Sequence, residues 1–189
     1  LASLMSVPLP VGPLQILYLN LLTDVIMALA LGMGKSEPGI LDHPPRDPSE
    51  PVLTRGRWIG IGMYGLVIGL TVLGSLFVGQ NLLGLSGARL VTFSFLTLGI
   101  TSMLHALNMR SPDSRFLSNN VIRNPAIHVG MAVSILLLAG AVYLPGLSDA
   151  LSTSPLPLTH WGLALAMGMV PVLAGHFLKA VSRFHSLGP

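Results

Sequence analysis

The stretch LYLNLLTDVIMALAL, Leu17 to Leu31, decides the fold, because it is typical of a membrane-spanning helix yet carries polar residues in its middle. Asn20, Thr23 and Asp24 stand there at i, i+3 and i+4, a spacing that places all three on one face of an α-helix. An ionised aspartate at the centre of a bilayer costs about 2.5–3.5 kcal/mol, while each Leu or Ile returns about 0.3–0.6 kcal/mol. The helix can therefore insert, but its carboxylate needs a functional reason to be there.

The composition of the whole chain is that of a membrane protein. Of its 189 residues, 51% are hydrophobic and only 9% are charged, with a mean hydropathy of +0.73. Soluble domains carry roughly a quarter charged residues, so this chain has too few ionic side chains to coat a globular surface. The absence of cysteine excludes disulfides, a zinc-thiolate site and a cysteine nucleophile. No basic run with interleaved aromatic residues occurs, so we expect no nucleic-acid partner.

Hydropathy predicts an all-α fold, a membrane-spanning helical bundle of about five transmembrane helices. A helix needs about 20 mostly apolar residues to cross the hydrocarbon, and five stretches satisfy this: 14–33, 57–79, 89–108, 126–144 and 160–179. We predict that residues 1–189 form a single transmembrane domain. The longest connector, 34–56, contains five prolines and mixed charges, which favour an extended, solvated loop.

The distribution of Lys and Arg predicts the orientation. Four lie around the first connector and three around the third, whereas the segment before the first span and the fourth connector have none. Because cytoplasmic loops carry the excess of basic residues, we expect the N-terminus outside, the C-terminus in the cytoplasm and the loop 34–56 in the cytoplasm. The plasma membrane is the expected location.

Two interpretations of the polar cluster in the first span are open. A carboxylate, an amide carbonyl and a hydroxyl offer oxygen atoms, which hard cations such as Ca²⁺ or Na⁺ bind; partner helices or waters would complete the shell. Alternatively, these side chains only form hydrogen bonds with neighbouring helices. We favour ion or proton handling, because intramembrane acids are usually functional. In the second span, Gly65 and Gly69 form a pair of small residues that predicts close helix packing.

Several segments resemble one family in order along nearly all of the chain. They are PLQILYLNLLTD (13–24), ALALG (28–32), ILDHPPRDPSEPVLTRG (40–56), MLHALNMRS (103–111) and the segment 157–183. Together they closely resemble the C-terminal membrane region of type II P-type cation pumps, a family that includes Ca²⁺-ATPases and the Na⁺,K⁺-ATPase. The N-L-x-T-D motif followed by the proline-rich loop is the specific part of this signal.

The resemblance implies that the five spans are the sixth to tenth helices of a ten-helix pump membrane domain. It implies that Asn20, Thr23 and Asp24 are ligands of the transported cation, which could be Ca²⁺, Na⁺, Mn²⁺ or H⁺. Some members have a Glu that contributes to a second ion site at the position where Ser102 aligns. Ser102 is a fourth candidate ligand, but its hydroxyl brings no charge, so a single ion site is expected. The partners implied are the lipid bilayer and the N-terminal helices and cytoplasmic domains of the same pump, which would bind Mg-ATP.

No catalytic residue and no cofactor site are predicted in this chain. The phosphorylation motif D-K-T-G does not occur in it, so we expect that the chain alone does not hydrolyse ATP and that it is cut from something longer. Two alternatives remain: a stand-alone five-helix transporter or channel subunit, and a truncated, non-transporting membrane scaffold. An open reading frame upstream that encodes D-K-T-G would favour the pump.

One departure from the family concerns the backbone of the first span. Members often have Gly-Leu-Pro or a similar triplet after the Asp, where their helix is unwound. Here the triplet is Val25-Ile26-Met27, and neither Pro nor Gly occurs from Leu14 to Leu31. We therefore expect a regular helix whose backbone carbonyls are less available as ligands.

Overall fold

The computed structural model describes residues 9–34, 53, 55–109 and 123–186, and the regular structure within these ranges is helical. The helices are α1 (Pro13–Gly32), α2 (Arg55–Asn81), α3 (Gly87–His105), α4 (Pro125–Tyr143), the short α5 (Leu147–Leu151) and α6 (Leu158–Ser186), and a 3₁₀ turn, Ala106–Met109, continues α3. Five of them, all but α5, are long and apolar enough to cross a membrane. This confirms the predicted all-α class with five membrane helices. The predicted proline-rich loop 34–56 lies almost entirely outside the described residues.

Side-chain caps and prolines define where two of the long helices begin. Pro13 and Pro125 occupy the first turn of α1 and α4, where a missing N–H is harmless and the fixed φ suits a helix. At α4, Asn124 Oδ1 accepts a hydrogen bond from the Ala126 N–H at 3.0 Å. At α1, Gln15 Oε1 accepts one from the Gly12 N–H at 3.0 Å. Both helices thus have a well-defined first turn.

Helix α3 lies at the centre of the bundle. Within the membrane span, 72% of it is buried, against 22% of α2. It packs against α1, α2, α4 and α6. Its buried surface is rich in small and hydroxyl-bearing residues, which let membrane helices approach closely: Thr92, Ser94, Thr97, Gly99 and Thr101.

Glycines in α3 and α4 bring α1 close to the bundle. A Cβ added at Gly99 would lie 2.7 Å from Leu138 Cδ2 and 3.0 Å from Leu19 Cδ2, and one at Gly130 would lie 3.1 Å from the Ala30 Cβ. By contrast, a Cβ at Gly65 or Gly69 would meet no atom of the described residues within 4 Å. Among the described residues no helix packs against that face of α2, so close packing at this pair stays a prediction.

Candidate cation site

The polar cluster lies in an irregular turn of α1. The helix is α-helical over Pro13–Tyr18, π-helical over Leu19–Asp24 and α-helical again over Val25–Gly32. The π segment, LNLLTD, contains all three predicted ligand residues. The expectation of a regular helix is thus wrong. Such π turns are rare and are frequent at functional sites.

The Thr23 hydroxyl bonds to the backbone within the irregular turn. Thr23 Oγ1 donates a hydrogen bond to the Leu19 carbonyl at 2.6 Å. In a regular α-helix this carbonyl accepts a hydrogen bond from the backbone N–H four residues later. Bonds of this kind from Ser and Thr slightly destabilise and often bend helices. Thr71, Thr92 and Thr97 make the same type of bond within regular α-helices. The bond alone therefore does not account for the π turn, and no residue of this stretch indicated it in the sequence.

The three side chains do not all point the same way. Asn20 and Asp24 are exposed, whereas Thr23 is only 1% exposed and faces the bundle. The Thr23 hydroxyl still lies 3.5 Å from Asp24 Oδ1. The expectation of one shared face fails for Thr23 because a π turn contains more residues than an α turn, so a spacing of three falls well short of one full turn.

The side of α1 that carries Asn20 and Asp24 is otherwise apolar and uncovered by the described residues. Leu17, Leu21 and Val25 are 58%, 60% and 45% exposed. Leucine and valine side chains can face hydrocarbon, but an amide and a carboxylate there would have no hydrogen-bonding partner in lipid. This side of α1 therefore calls for a polar partner at the level of the π turn.

The opposite side of α1 is tied to the bundle by hydrogen bonds that the sequence did not reveal. Gln15 is 2% exposed and its Nε2 donates to the Leu151 carbonyl at 2.9 Å. The Tyr18 hydroxyl donates to the Leu137 carbonyl at 2.8 Å. The sequence carried no signal for them: in a regular helix Tyr18 and Met27, nine residues apart, would point in opposite directions, and the π turn brings them to the same buried side.

Ser102 lies on α3 and is half-buried. It stands one helical turn beyond Gly99, the residue against which Leu19 packs. Within the described residues, no hydrogen bond joins Ser102 to Asn20, Thr23 or Asp24. The turn of α3 before Ser102 thus lies next to Leu19, at the start of the π segment, but Ser102 is not hydrogen-bonded to the predicted ligands.

The donor set near the π turn fits part of a cation shell. Among the described residues, no group of three His, Cys, Asp or Glu side chains comes together. The cluster instead has one carboxylate, one amide and one hydroxyl, all with oxygen donors suited to hard cations. Since Ca²⁺ takes six to eight oxygen ligands, these three residues could supply only some of them.

Comparison with known protein families identifies the family of this chain. The family model for "Cation transporting ATPase, C-terminus" matches residues 8–181. The chain belongs to this family. The resemblance inferred from N-L-x-T-D and the proline-rich loop is thereby confirmed, and the chain is an integral membrane part of the cation-transporting ATPase C-terminal type.

Relatives of this cation-transporting ATPase C-terminal chain are longer proteins. The "Calcium-transporting ATPase" of Bacillus subtilis (strain 168) is 34% identical over 94% of the chain, which covers 20% of that protein. "Calcium-transporting ATPase lmo0841" of Listeria monocytogenes is 28% identical over 92% of the chain, and "Cation-transporting ATPase pma1" of Synechocystis is 25% identical over 92%. The chain spans about a fifth of the length of the curated relatives it matches.

Proposed function

We propose that this chain is the C-terminal half of the membrane domain of an ATP-driven cation pump, and that Asn20, Thr23 and Asp24 supply oxygen ligands to the transported cation near the bilayer midplane. One observation carries the proposal: a carboxylate and an amide lie exposed on the apolar side of a membrane helix, at a π turn. Hydrocarbon cannot satisfy these groups, whereas a cation held between two halves of a pump can.

The division of α1 into two sides supports a site shared between this chain and further helices. One side is buried against the bundle through Gln15 and Tyr18, and the other presents Asn20 and Asp24 outward. A cation bound beside the Asp24 carboxylate, whose Oδ1 lies 3.5 Å from Thr23 Oγ1, would complete its shell with ligands from the N-terminal helices of the same pump. The positive charge of the cation would offset part of the cost of holding the Asp24 carboxylate in the membrane, as for other buried charges that coordinate metals.

Ca²⁺ is the first cation to test. The "Calcium-transporting ATPase" of B. subtilis is the relative with the highest identity among those described above, and an oxygen-only donor set with one carboxylate suits Ca²⁺ or Mn²⁺. Na⁺ and H⁺ are the competing cargoes. In the orientation that Lys and Arg favour, the loop 34–56 lies in the cytoplasm and contacts the phosphorylation domain. The reaction of that domain with Mg-ATP drives the change by which the cation site opens to one side of the membrane and then to the other.

The experiment is Asp24→Asn in the full-length pump. We expect cation-dependent phosphorylation by ATP to be lost while expression stays nearly normal, because the amide keeps the size of the side chain but not its charge. Asp149→Asn is the matched control: Asp149 lies in the short α5, outside the membrane spans, and accepts a hydrogen bond from the Gly146 N–H at 3.3 Å. This control should phosphorylate normally.

Phosphorylation should be titrated with Ca²⁺, Mn²⁺ and Na⁺ and across pH for each variant. A ligand role predicts that Asp24→Asn needs at least ten times more cation for half-maximal phosphorylation, or gives none. Unchanged cation dependence in Asp24→Asn would exclude Asp24 as a ligand.

A further inference from the structure

Two hydrogen bonds, one on each side of the π turn, join α1 to the same neighbouring helix, α4. On one flank, the Tyr18 hydroxyl donates to the carbonyl of Leu137 in α4 at 2.8 Å. On the other, Asn124 Nδ2, at the start of α4, donates to the carbonyl of Ala30 at 2.8 Å. Since an α-helix rises 1.5 Å per residue, these two attachment points lie roughly 18 Å apart along α1.

Each attachment is made by groups held in place by further contacts. Tyr18 is 9% exposed and its ring centroid lies 6.3 Å from that of Phe95. Asn124 is 8% exposed and also caps α4 by accepting from the Ala126 N–H. Both side chains are therefore held in place by contacts other than their hydrogen bond to the backbone of the neighbouring helix.

The Ala30 carbonyl is one that the helix itself leaves without a regular partner. It lies in the last turn of α1, where carbonyls lack a backbone N–H four residues later; the Gly34 N–H bonds to the Leu31 carbonyl instead. Asn124 thus donates to a carbonyl at the end of α1, that of Ala30, and accepts from an N–H at the start of α4, that of Ala126. Close contact between Gly130 and Ala30 brings the two helices near enough for this bond.

These attachments matter because a π turn can revert to an α turn. In a π turn one extra residue is accommodated in the helix, so reversion would rotate one flank of α1 against the other by about 100°, the angle per residue of an α-helix. A rotation of that size cannot occur while both flanks are bonded to α4. Reversion would also change the direction of Asn20 relative to Asp24.

We propose that Tyr18 and Asn124 are positioning residues that hold the π turn of α1 in register by fixing its two flanks to α4. The register itself does not depend on a bound cation, whereas its use in orienting Asn20 and Asp24 as ligands rests on the proposed function. The two parts of the inference can therefore be tested separately.

The register is measured directly in the full 189-residue chain in lipid nanodiscs. Because the chain has no cysteine, pairs of cysteines can be introduced and spin-labelled without first replacing native cysteines. One pair joins Leu14 and Leu136, and the other joins Leu29 and Leu136; all three residues are exposed. The first pair reports the flank before the π turn and the second the flank after it.

The test variants are Tyr18→Phe, Asn124→Ser and their combination. Phenylalanine keeps the ring but removes the hydroxyl, and serine can still cap α4 but is too short to reach the Ala30 carbonyl. We expect the double variant to change the difference between the two label distances by up to about 8 Å, because a 100° rotation displaces a point on the surface of a helix 10–12 Å in diameter by roughly 8–9 Å. Each single variant should show a mixture of the two distances.

Matched controls remove the same groups elsewhere. Tyr143→Phe removes another hydroxyl that donates to a backbone carbonyl, that of Leu156. Asn81→Ser removes another amide that donates to a carbonyl, that of Phe77 at 3.0 Å. Both controls should leave the label distances as they are in the unaltered chain.

Unchanged distances in the double variant would overturn the inference, as would an equal change in the controls. If the double variant does not fold, the two single variants decide, since each loses only one hydrogen bond. In the full-length pump, the same variants should raise the cation concentration for half-maximal phosphorylation at least threefold. Altered distances with unaltered cation dependence would count against the ligand role but not against the register.

Discussion

Replacing Gly99 with alanine adds one methyl group where α3, α4 and the start of the π turn meet. The new Cβ would lie 2.7 Å from Leu138 Cδ2 and 3.0 Å from Leu19 Cδ2, whereas carbon atoms in good contact are about 3.5–4.0 Å apart. Leu138 and Leu19 are 0% and 2% exposed, so neither can move aside into solvent or lipid. We therefore expect Gly99→Ala to overpack the junction.

The change in the free energy of unfolding of Gly99→Ala is the sum of two opposing contributions. Overpacking a well-packed interior costs about 1–3 kcal/mol, while exchanging glycine for alanine inside a helix returns about 1 kcal/mol. Gly69→Ala is the matched control, because a Cβ there meets no described atom within 4 Å and only the helix contribution applies. The two variants should therefore differ in free energy of unfolding by about 1–3 kcal/mol, with Gly69→Ala the more stable.

The assay is unfolding of the full chain in mixed micelles, with increasing denaturing detergent and helicity followed by circular dichroism. Leu138→Val in the Gly99→Ala background should recover part of the loss, because it removes one methylene group from the crowded junction. Equal stability of Gly99→Ala and Gly69→Ala would refute the reasoning that Leu19 and Leu138 fill the space beside Gly99.

Two further predictions concern hydroxyl groups. Thr23→Val removes the hydroxyl that bonds to the Leu19 carbonyl and should weaken cation-dependent phosphorylation of the full-length pump about tenfold, the equivalent of 1.4 kcal/mol; Thr71→Val, which loses the same type of bond in α2, should leave it unchanged. Ser134→Ala removes a buried hydroxyl that has no hydrogen-bonding partner among the described residues and should stabilise the chain by about 1 kcal/mol in the micelle assay. Ser75→Ala should destabilise it instead, because that hydroxyl bonds to Ser94 at 3.0 Å; a loss of stability in Ser134→Ala would contradict the first expectation.

The Asp24→Asn and Tyr18/Asn124 experiments test two different properties of α1. The first removes the charge proposed to hold the cation, and the second removes the attachments proposed to orient it. A pump that retains phosphorylation but has lower cation affinity in the Tyr18/Asn124 double variant, and no phosphorylation in Asp24→Asn, would support both proposals.

The number of membrane helices and the position of the polar cluster could be predicted from the sequence. Both depend on the transfer of side chains between water and hydrocarbon, a property that each residue carries with little regard to its neighbours. A run of about 20 apolar residues therefore predicts a span wherever it occurs. For the same reason the sequence alone identified Asp24 as unusual, since a carboxylate in a run of apolar residues needs compensation whichever helices pack around it.

The tertiary structure alone decided the shape of the first helix and the direction of its polar side chains. The bonds from Tyr18 to Leu137 and from Asn124 to Ala30 join residues far apart in the chain, and the π turn and the burial of Thr23 became visible only in the structure. The same is true of the glycines: Gly99 lies in a crowded junction while Gly69 faces open space, although both are glycines within apolar helices. Hydropathy determines that a helix crosses the membrane, but which of its faces is covered depends on which helices pack against it, and that follows from the packing of the whole bundle.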